Sequence, residues 1–263
     1  MIKKELKSNI KSFIICLALL ISVFLLVYLI YPFVITDENM ATMNELLQAF
    51  PEEVLKAFNM DLASIDTAYG WLKSEGFMFV LLGIGIFSSI LGINIVFKEE
   101  QDKTIEYLAS LPIKRSKIMT KKIFVSVFYI ISLIWIFTLF NFIALLISCE
   151  FNQKEFLLLS LSPLLIGLPF FFFNLFISTL IKRDKKVLGL SLGFVFIFYI
   201  VSMLSEISDK VEFLKYFSLY TLADTRNIIA NCEINIWCIL ISIISSVMFA
   251  SLSYIFYNKK ELL

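Results

Sequence analysis

The chain of 263 residues is 59% hydrophobic and 17% charged, and its 23 basic and 22 acidic residues leave a net charge of +1. Soluble domains carry about a quarter charged residues, so this composition predicts an integral membrane protein and gives no sign of a nucleic-acid partner. Histidine is absent, which excludes histidine-based zinc sites, Ser-His or Cys-His catalysis and histidine pH switches.

Six apolar runs are long enough to cross a bilayer and predict an all-α membrane protein with one transmembrane domain, residues 1–263. A helix rises about 1.5 Å per residue, so a run of about 20 residues covers a hydrocarbon core of roughly 30 Å. The predicted spans, first to sixth, are residues 13–35, 77–97, 123–148, 156–181, 187–204 and 234–257.

The segment before the first span, residues 1–12, carries lysines together with Ile2, Leu6 and Ile10 at four-residue intervals. This spacing places the apolar side chains on one helical face, which predicts an amphipathic helix in the membrane interface with its lysines near anionic lipids. The alternative is that these charges only set the topology.

Two long polar segments are predicted to lie on the outer side. Residues 36–76 have the apolar periodicity of short amphipathic helices resting on the bundle, with a lid over a substrate exit as the alternative. Residues 205–233 are too polar to cross the membrane and too apolar to lie in water, which predicts re-entrant or interfacial helices. As the alternative, Tyr216 and Tyr220 only anchor the segment at the interface.

The basic residues are distributed unevenly between the two sets of loops. Residues 1–12, 98–122, 182–186 and 258–263 contain seventeen of the 23 Lys and Arg, while the other loops hold six of them and most of the acids. The positive-inside rule therefore places both termini and the 98–122 loop in the cytoplasm.

Small residues form faces on two spans, Gly85, Ser89 and Gly92 on the second and Gly189 and Gly193 on the fifth. Such faces let helix backbones approach closely, so they predict either packing within the chain, a dimer, or the lining of a pathway.

Polar side chains within the spans are few. Asn94, Asn141 and Asn174 are the notable ones, and no acidic or basic residue lies deep in a predicted span. Ion-coupled carriers usually need a titratable group near the midplane, so the sequence argues against that class.

No catalytic set is found in the chain. The sequence lacks a P-loop, a G-x-G-x-x-G and a G-x-S-x-G motif, so we predict no catalytic residue, no metal ligand and no cofactor bound by this chain. The four cysteines have no metal-site spacing and are predicted to be structural, although Cys149 and Cys232 both lie on the predicted outer side and could pair.

The cytoplasmic loop 98–122 is unusually charged and shows helical periodicity. Ile105, Leu108 and Leu111 share one face, Pro112 ends the helix, and Asp102 or Thr104 can cap its start. The carboxylate of Glu106 lies early in the predicted helix, where the positive end of the helix dipole stabilises a negative charge. The pattern predicts a short stiff helix, a corner, and a second basic helix leading into the third span.

The stretch KEEQDKTIEYLASLPIKRSKIMTKKI, residues 98–123, resembles the corresponding loop of ABC-2 type transporter permeases. In that family an acidic pair, a Thr-hydrophobic-Glu-x-Leu run, a Leu-Pro and a basic helix follow the second span. The matching residues are Glu99, Glu100, Thr104, Ile105, Glu106, Leu108, Ser110, Leu111, Pro112, Arg115, Ile118 and Lys122.

The resemblance implies a type V exporter-like permease fold in a bacterial cell membrane. Its partners would be a dimer of separate ABC ATPase subunits, which bind the ATP and Mg, and a second permease subunit. The loop would be the coupling helix on the ATPase, with Ile105, Leu108 and Leu111 as its docking face. Its ionic contacts would be Glu99, Glu100, Asp102, Glu106 and Arg115.

The aromatic-rich interior favours a hydrophobic or amphipathic cargo such as a peptide, an antibiotic or a lipid-like molecule. Two other classes are weighed against an exporter. A non-transporting sensor or scaffold could use the same ATPase partner, whereas a lipid-modifying membrane enzyme would need a nucleophile with a base or paired acids, and none is evident.

Overall fold

The computed structural model of the protein describes residues 2–34, 68–101, 114–148, 151–181, 187–205, 207 and 209–259, which are helical almost throughout and contain no strand. A π-helix, Leu72–Gly76, precedes the second long helix, and two 3-10 helices, Asp209–Phe217 and Tyr220–Ala223, follow the fifth. In chain order the α-helices are α1 (Ile2–Val34), α2 (Ala68–Trp71), α3 (Phe77–Gln101), α4 (Arg115–Ser148), α5 (Gln153–Leu180), α6 (Val187–Ser205), α7 (Thr225–Asn231) and α8 (Ile236–Lys259).

Six of these helices, α1, α3, α4, α5, α6 and α8, are long and apolar enough to cross a membrane. The all-helical class and the count of six spans are therefore confirmed for the described residues. In α4 the basic residues from Arg115 onward belong to the same continuous helix as the third span. The helices predicted within residues 36–67 lie outside the described residues.

The separate interfacial helix predicted for residues 1–12 is not an element of the structure. Residues 2–12 instead continue without a break into the first span as the 33-residue helix α1. No glycine or proline occurs before Pro32 to interrupt that helix. Near its start, the Tyr129 hydroxyl of α4 donates a hydrogen bond of 2.7 Å to the Leu6 carbonyl, which holds α1 against α4.

Helices α3 and α5 form the centre of the bundle. In the most apolar part of each, 61% of the α3 residues and 56% of the α5 residues are buried, against 17% or less in α1, α6 and α8. The two helices approach closely at Gly92, where a Cβ atom would lie 2.4 Å from the Phe171 carbonyl oxygen. Only a residue without a side chain fits there, so Gly92 sets the distance between α3 and α5.

Helix α5 contains two prolines, and serine hydroxyls bond the carbonyls that the prolines leave without a partner. Proline has no N–H, so the carbonyl four residues earlier loses its helical hydrogen bond. For Pro163, Ser162 donates to that carbonyl at 2.8 Å. For Pro169, Ser242 of α8 donates to the Leu165 carbonyl at 2.7 Å. The second bond also joins α8 to α5. In a hydrocarbon environment a carbonyl without its helical hydrogen bond needs such a partner from within the protein.

Phenylalanine rings fill much of the space between the spans. Phe24 of α1 meets Phe137 of α4 edge to face, with ring centroids 4.8 Å apart, and Phe173 of α5 meets Phe249 of α8 at 5.2 Å. Edge-to-face geometry is favoured between aromatic rings, so these contacts also fix the orientation of the rings relative to one another.

The close contact at Gly92 predicts a specific sensitivity. Replacing Gly92 with Ala should lower the free energy of unfolding by about 1–3 kcal/mol, because the new methyl group meets backbone that cannot move aside without separating α3 from α5. The measurement is SDS-induced unfolding of the purified chain in mixed micelles.

The matched control is Gly189→Ala, since no described atom lies within 4 Å of a Cβ built at Gly189. Equal stability of the Gly92→Ala variant and the unchanged protein would show that the α3–α5 contact is not this close.

Candidate functional site

Four spans meet at one end of the bundle, here called the basic end and defined by residues 2–12, 95–101, 114–122 and 254–259. Helices α1 and α4 begin there, and α3 and α8 end there. Contacts between side chains and backbone join all four. The end of α3 and the start of α4 at this end lie on either side of the segment that holds the predicted coupling helix.

Lys122 of α4 joins three of these helices. Its ammonium donates a hydrogen bond of 2.7 Å to the Ile95 carbonyl of α3 and lies 3.9 Å from a carboxylate oxygen of Glu5 on α1. The Lys122 side chain is only 3% exposed. Burying an ammonium group costs several kcal/mol unless it is paired and hydrogen-bonded, so these contacts are needed to keep Lys122 inside the bundle.

Helix α4 also contacts the end of α8. The hydroxyls of Thr120 and Tyr254 are 2.8 Å apart and share a hydrogen bond, and Ser116 and Asn258 lie within 3.4 Å of each other. The first two turns of α4 are therefore bonded to α1, α3 and α8 at once.

The predicted coupling residues are only partly placed by the structure. Glu99 and Glu100 belong to the last turn of α3. Arg115 is the first residue of α4, and its side chain is half-buried. These residues flank the predicted coupling helix on either side. The remaining members of the set lie outside the described residues: Asp102, Thr104, Ile105, Glu106, Leu108, Leu111 and Pro112.

A second polar site lies among the spans, around Asn174 of α5. The Asn174 amide donates to Ser89 of α3 and to the Phe170 carbonyl, both at 2.9 Å, and its oxygen accepts a 2.6 Å hydrogen bond from Ser191 of α6. The three side chains from α3, α5 and α6, here called the Asn174 hub, are fully buried. Because every polar group of the amide finds a partner, the hub fixes the rotation of three spans relative to one another.

The glycines predicted to matter have different surroundings. A Cβ at Gly85 would lie 2.3 Å from the Tyr220 hydroxyl oxygen, so Gly85 accommodates the 3-10 helix that follows α6. Around Gly189 and Gly193 no described atom lies within 4 Å of a built Cβ. Gly85 and Gly92 of α3 therefore pack within the chain, whereas Gly189 and Gly193 of α6 face open space among the described residues.

The other two intramembrane asparagines are less engaged. Asn94 is half-buried on α3. Asn141 of α4 lines a narrow cavity with Phe24, Phe137 and Phe156, and its side-chain oxygen has no hydrogen-bond partner among the described residues. Its amide nitrogen bonds the Phe137 carbonyl of its own helix at 3.0 Å.

An ion pair closes the opposite end of the bundle. Lys73 of the π-helix lies 3.2 Å from Glu155 in the first turn of α5, where Asn152 caps the helix, and both charged side chains are mostly buried. The ammonium also lies 5.7 Å from the centre of the Tyr69 ring. The segment before α3 is thus fastened to the start of α5.

The segment between α6 and α8 carries charged groups and one of the two cysteines considered for pairing. The hydrogen bond from Lys215 to Glu212 raises the pKa of Lys215, and burial raises the pKa of Asp224. Cys232 is a free thiol, whereas Cys149 lies outside the described residues.

Some of these groups were not singled out from the sequence. Ser191 is one of many serines in apolar runs, and nothing in the sequence pairs it with Asn174. Lys122 does have a signal, since it directly precedes an apolar run and belongs to the motif of the cytoplasmic loop. Its partner Glu5 has none, because the contact joins helices far apart in the chain.

Within the described part of the chain, no group of three His, Cys, Asp or Glu side chains could hold a metal ion. The charged contacts lie at the two ends of the bundle, and the interior holds a hydrogen-bonded amide hub. Six apolar helices arranged in this way define an integral membrane protein.

The chain belongs to the ABC-2 family of transporter proteins, because the model of that family matches residues 1–262. The likeness of the 98–123 stretch to ABC-2 permeases is thereby confirmed at the level of the family. Members of this family are membrane components of transporters that generally work with ATPase subunits. No curated protein and no solved structure matches the chain.

The Asn174 hub predicts a loss of stability on truncation. Replacing Asn174 with Ala should lower the free energy of unfolding by about 1–2 kcal/mol, because the hydroxyls of Ser89 and Ser191 lose their partner inside the membrane. SDS titration in mixed micelles measures the change. The matched control is Asn231→Ala, which removes an exposed amide pair and should change stability by less than about 0.5 kcal/mol. Similar losses in both variants would contradict the role given to the hub.

Proposed function

We propose that this chain is the transmembrane permease subunit of an ATP-driven ABC exporter. A separate ATPase subunit would hydrolyse ATP, and this chain would use that cycle to export a hydrophobic or amphipathic substrate such as a peptide, an antibiotic or a lipid-like molecule. The family supports the transporter class. The coupling to an ATPase is supported by the arrangement at the basic end.

The observation that carries the proposal is that the ends of α3 and α4 on either side of segment 102–113 are bonded to other spans. Lys122 ties α4 to α3 and α1, and Thr120 ties it to α8. Helix α4 is continuous for 34 residues, which makes it about 50 Å long. A push on its first turn is therefore carried into the membrane by a rigid element and reaches three neighbouring helices.

The distribution of charge favours a cytoplasmic position for the basic end. Eleven of the 23 Lys and Arg residues lie in the four segments that define this end, as the positive-inside rule expects of a cytoplasmic surface. An ATPase without membrane spans is reached only from the cytoplasm. Both termini would then be cytoplasmic, in the cell membrane of a bacterium.

The contact with the ATPase would be made by the short helix predicted from the sequence. Ile105, Leu108 and Leu111 would dock in an apolar groove of the ATPase, and charged residues around them would fix the orientation. These charged residues are Glu99, Glu100, Asp102, Glu106 and Arg115. ATP and Mg would be bound by the partner, with none bound by this chain.

A second permease subunit would pack against α6. Only 17% of the most apolar part of α6 is buried, and no described atom lies within 4 Å of a Cβ built at Gly189 or Gly193. Glycines four residues apart allow another helix to approach closely in a membrane. The small residues of α3 are already used inside the chain, so α6 is the better candidate for this contact.

Docking through the 98–122 loop is tested by Leu108→Asp. The introduced carboxylate should reduce co-purification of the cognate ATPase at least tenfold, because a charge would enter an apolar contact. The matched control is Ser110→Asp, which adds the same charge to another face of the predicted helix and should leave co-purification within twofold. ATPase bound equally well by Leu108→Asp and by the unchanged chain would remove the docking proposal.

The contact between permeases is tested by the double replacement Gly189→Leu and Gly193→Leu. Two isobutyl groups should block close helix approach and reduce the dimeric fraction at least fivefold, counted by single-molecule photobleaching in lipid vesicles. The control is Ser251→Leu on the exposed side of α8. An unchanged dimer in the double variant would place the contact elsewhere.

A further inference from the structure

We propose that Lys122 is a positioning residue that passes movement of the α3–α4 end to α1, so that the first turns of α1 move with the coupling apparatus. The inference rests on the proposed function and goes beyond it, because the contact proposed with the ATPase involves neither α1 nor Lys122. The first span would thereby respond to ATP although it lies far from the coupling loop in sequence.

The contact of Lys122 with α3 is suited to carrying movement. The ammonium bonds the Ile95 carbonyl, which is part of the α3 backbone six residues before that helix ends. A backbone carbonyl within a helix moves only when the helix moves, whereas a side chain can change rotamer. Lys122 therefore follows α3 as a rigid body, and so does the turn of α4 on which it stands.

The contact with α1 has two points on one face of α4. Lys122 lies 3.9 Å from Glu5, and seven residues further along, Tyr129 donates to the Leu6 carbonyl at 2.7 Å. Residues seven apart lie on the same side of a helix, two turns from each other. On α1 the two contacts fall on the adjacent residues Glu5 and Leu6, so together they fix the position of the first turns of α1 against α4.

The burial of Lys122 distinguishes it from the other lysines at this end. Among the described residues, Lys122 and Glu155 are the charged side chains that are buried, and they lie at opposite ends of the bundle. Lys117, five residues earlier on α4, is exposed. A lysine that only sets topology has no need to enter the bundle, since it satisfies the positive-inside rule at the surface.

A merely structural role would be a static one, in which Lys122 fills space and satisfies a carbonyl. The two roles differ in the response to nucleotide. A static contact stabilises residues 2–12 equally in every state, whereas a positioning contact changes their environment when the ATPase closes. The test therefore needs a local measurement on α1 in two nucleotide states.

Hydrogen exchange measured by mass spectrometry on the full chain in lipid nanodiscs provides this. The complex with the cognate ATPase is compared without nucleotide and after trapping with ATP and vanadate, and exchange is followed in residues 2–12 and 114–121. The variants are Lys122→Met, which keeps most of the volume, and Glu5→Gln, which keeps the shape and removes the charge. Lys117→Met is the matched control.

In the unchanged chain and in Lys117→Met, trapping should change exchange at least threefold in both segments. In Lys122→Met and Glu5→Gln, the change in 114–121 should persist and the change in 2–12 should fall below 1.5-fold. A full nucleotide response of residues 2–12 in Lys122→Met would overturn the proposal. Where Lys122→Met does not fold, the same response in Glu5→Gln overturns it.

A second arm uses the chain without the ATPase. There Lys122→Met should speed exchange in residues 2–12 at least tenfold relative to Lys117→Met, and equal rates would overturn the contact itself. Suppose that Lys122→Met speeds exchange in residues 2–12 as expected, but that trapping does not change exchange in residues 114–121 of the chain without substitutions. Then the proposed coupling to an ATPase is wrong, and so is the positioning role that rests on it. If 114–121 responds and 2–12 does not, only the positioning role is lost.

Discussion

The close approach of α3 and α5 at Gly92 is the contact on which the other features of the bundle depend. It brings Ser89 within hydrogen-bonding distance of Asn174, and Asn174 in turn holds α6 through Ser191. A wider separation would leave buried polar groups without partners, which is costly in hydrocarbon. Gly92 therefore matters because it lacks a side chain, not because it is flexible. The Asn174 hub, which this close approach permits, fixes the rotation of three spans relative to one another.

Much of the fold is predictable from the sequence because apolar length alone identifies a membrane helix. The six spans follow from that rule, and the serine bonds around Pro163 and Pro169 show why prolines do not break α5. The predicted boundary between the helix of residues 1–12 and the first span is absent, since one helix, Ile2–Val34, runs through both. A basic segment with one apolar face is suited both to a membrane interface and to a neighbouring helix, and the sequence does not contain the hydrogen bond from Tyr129 of α4 to Leu6.

The candidate site was less accessible to prediction for a related reason. Small residues indicate that something approaches closely, but they do not say whether the approaching helix belongs to the same chain. Gly92 meets α5 and Gly85 meets Tyr220, whereas Gly189 and Gly193 meet no described atom. Contacts such as Lys122 with Glu5 require the relative rotation of two spans, which hydropathy does not contain.

Helix α1 has a consequence for how the protein responds to its lipid. Its apolar part, residues 13–34, is about 33 Å long, and only 11% of its most apolar stretch is buried among the described residues. A hydrophobic stretch whose length differs from the thickness of the hydrocarbon core relieves the mismatch by tilting or by deforming the bilayer, so its tilt changes with bilayer thickness. Because Glu5 and Leu6 fasten α1 to α4, a change of acyl-chain length would be felt at the contacts between these two helices.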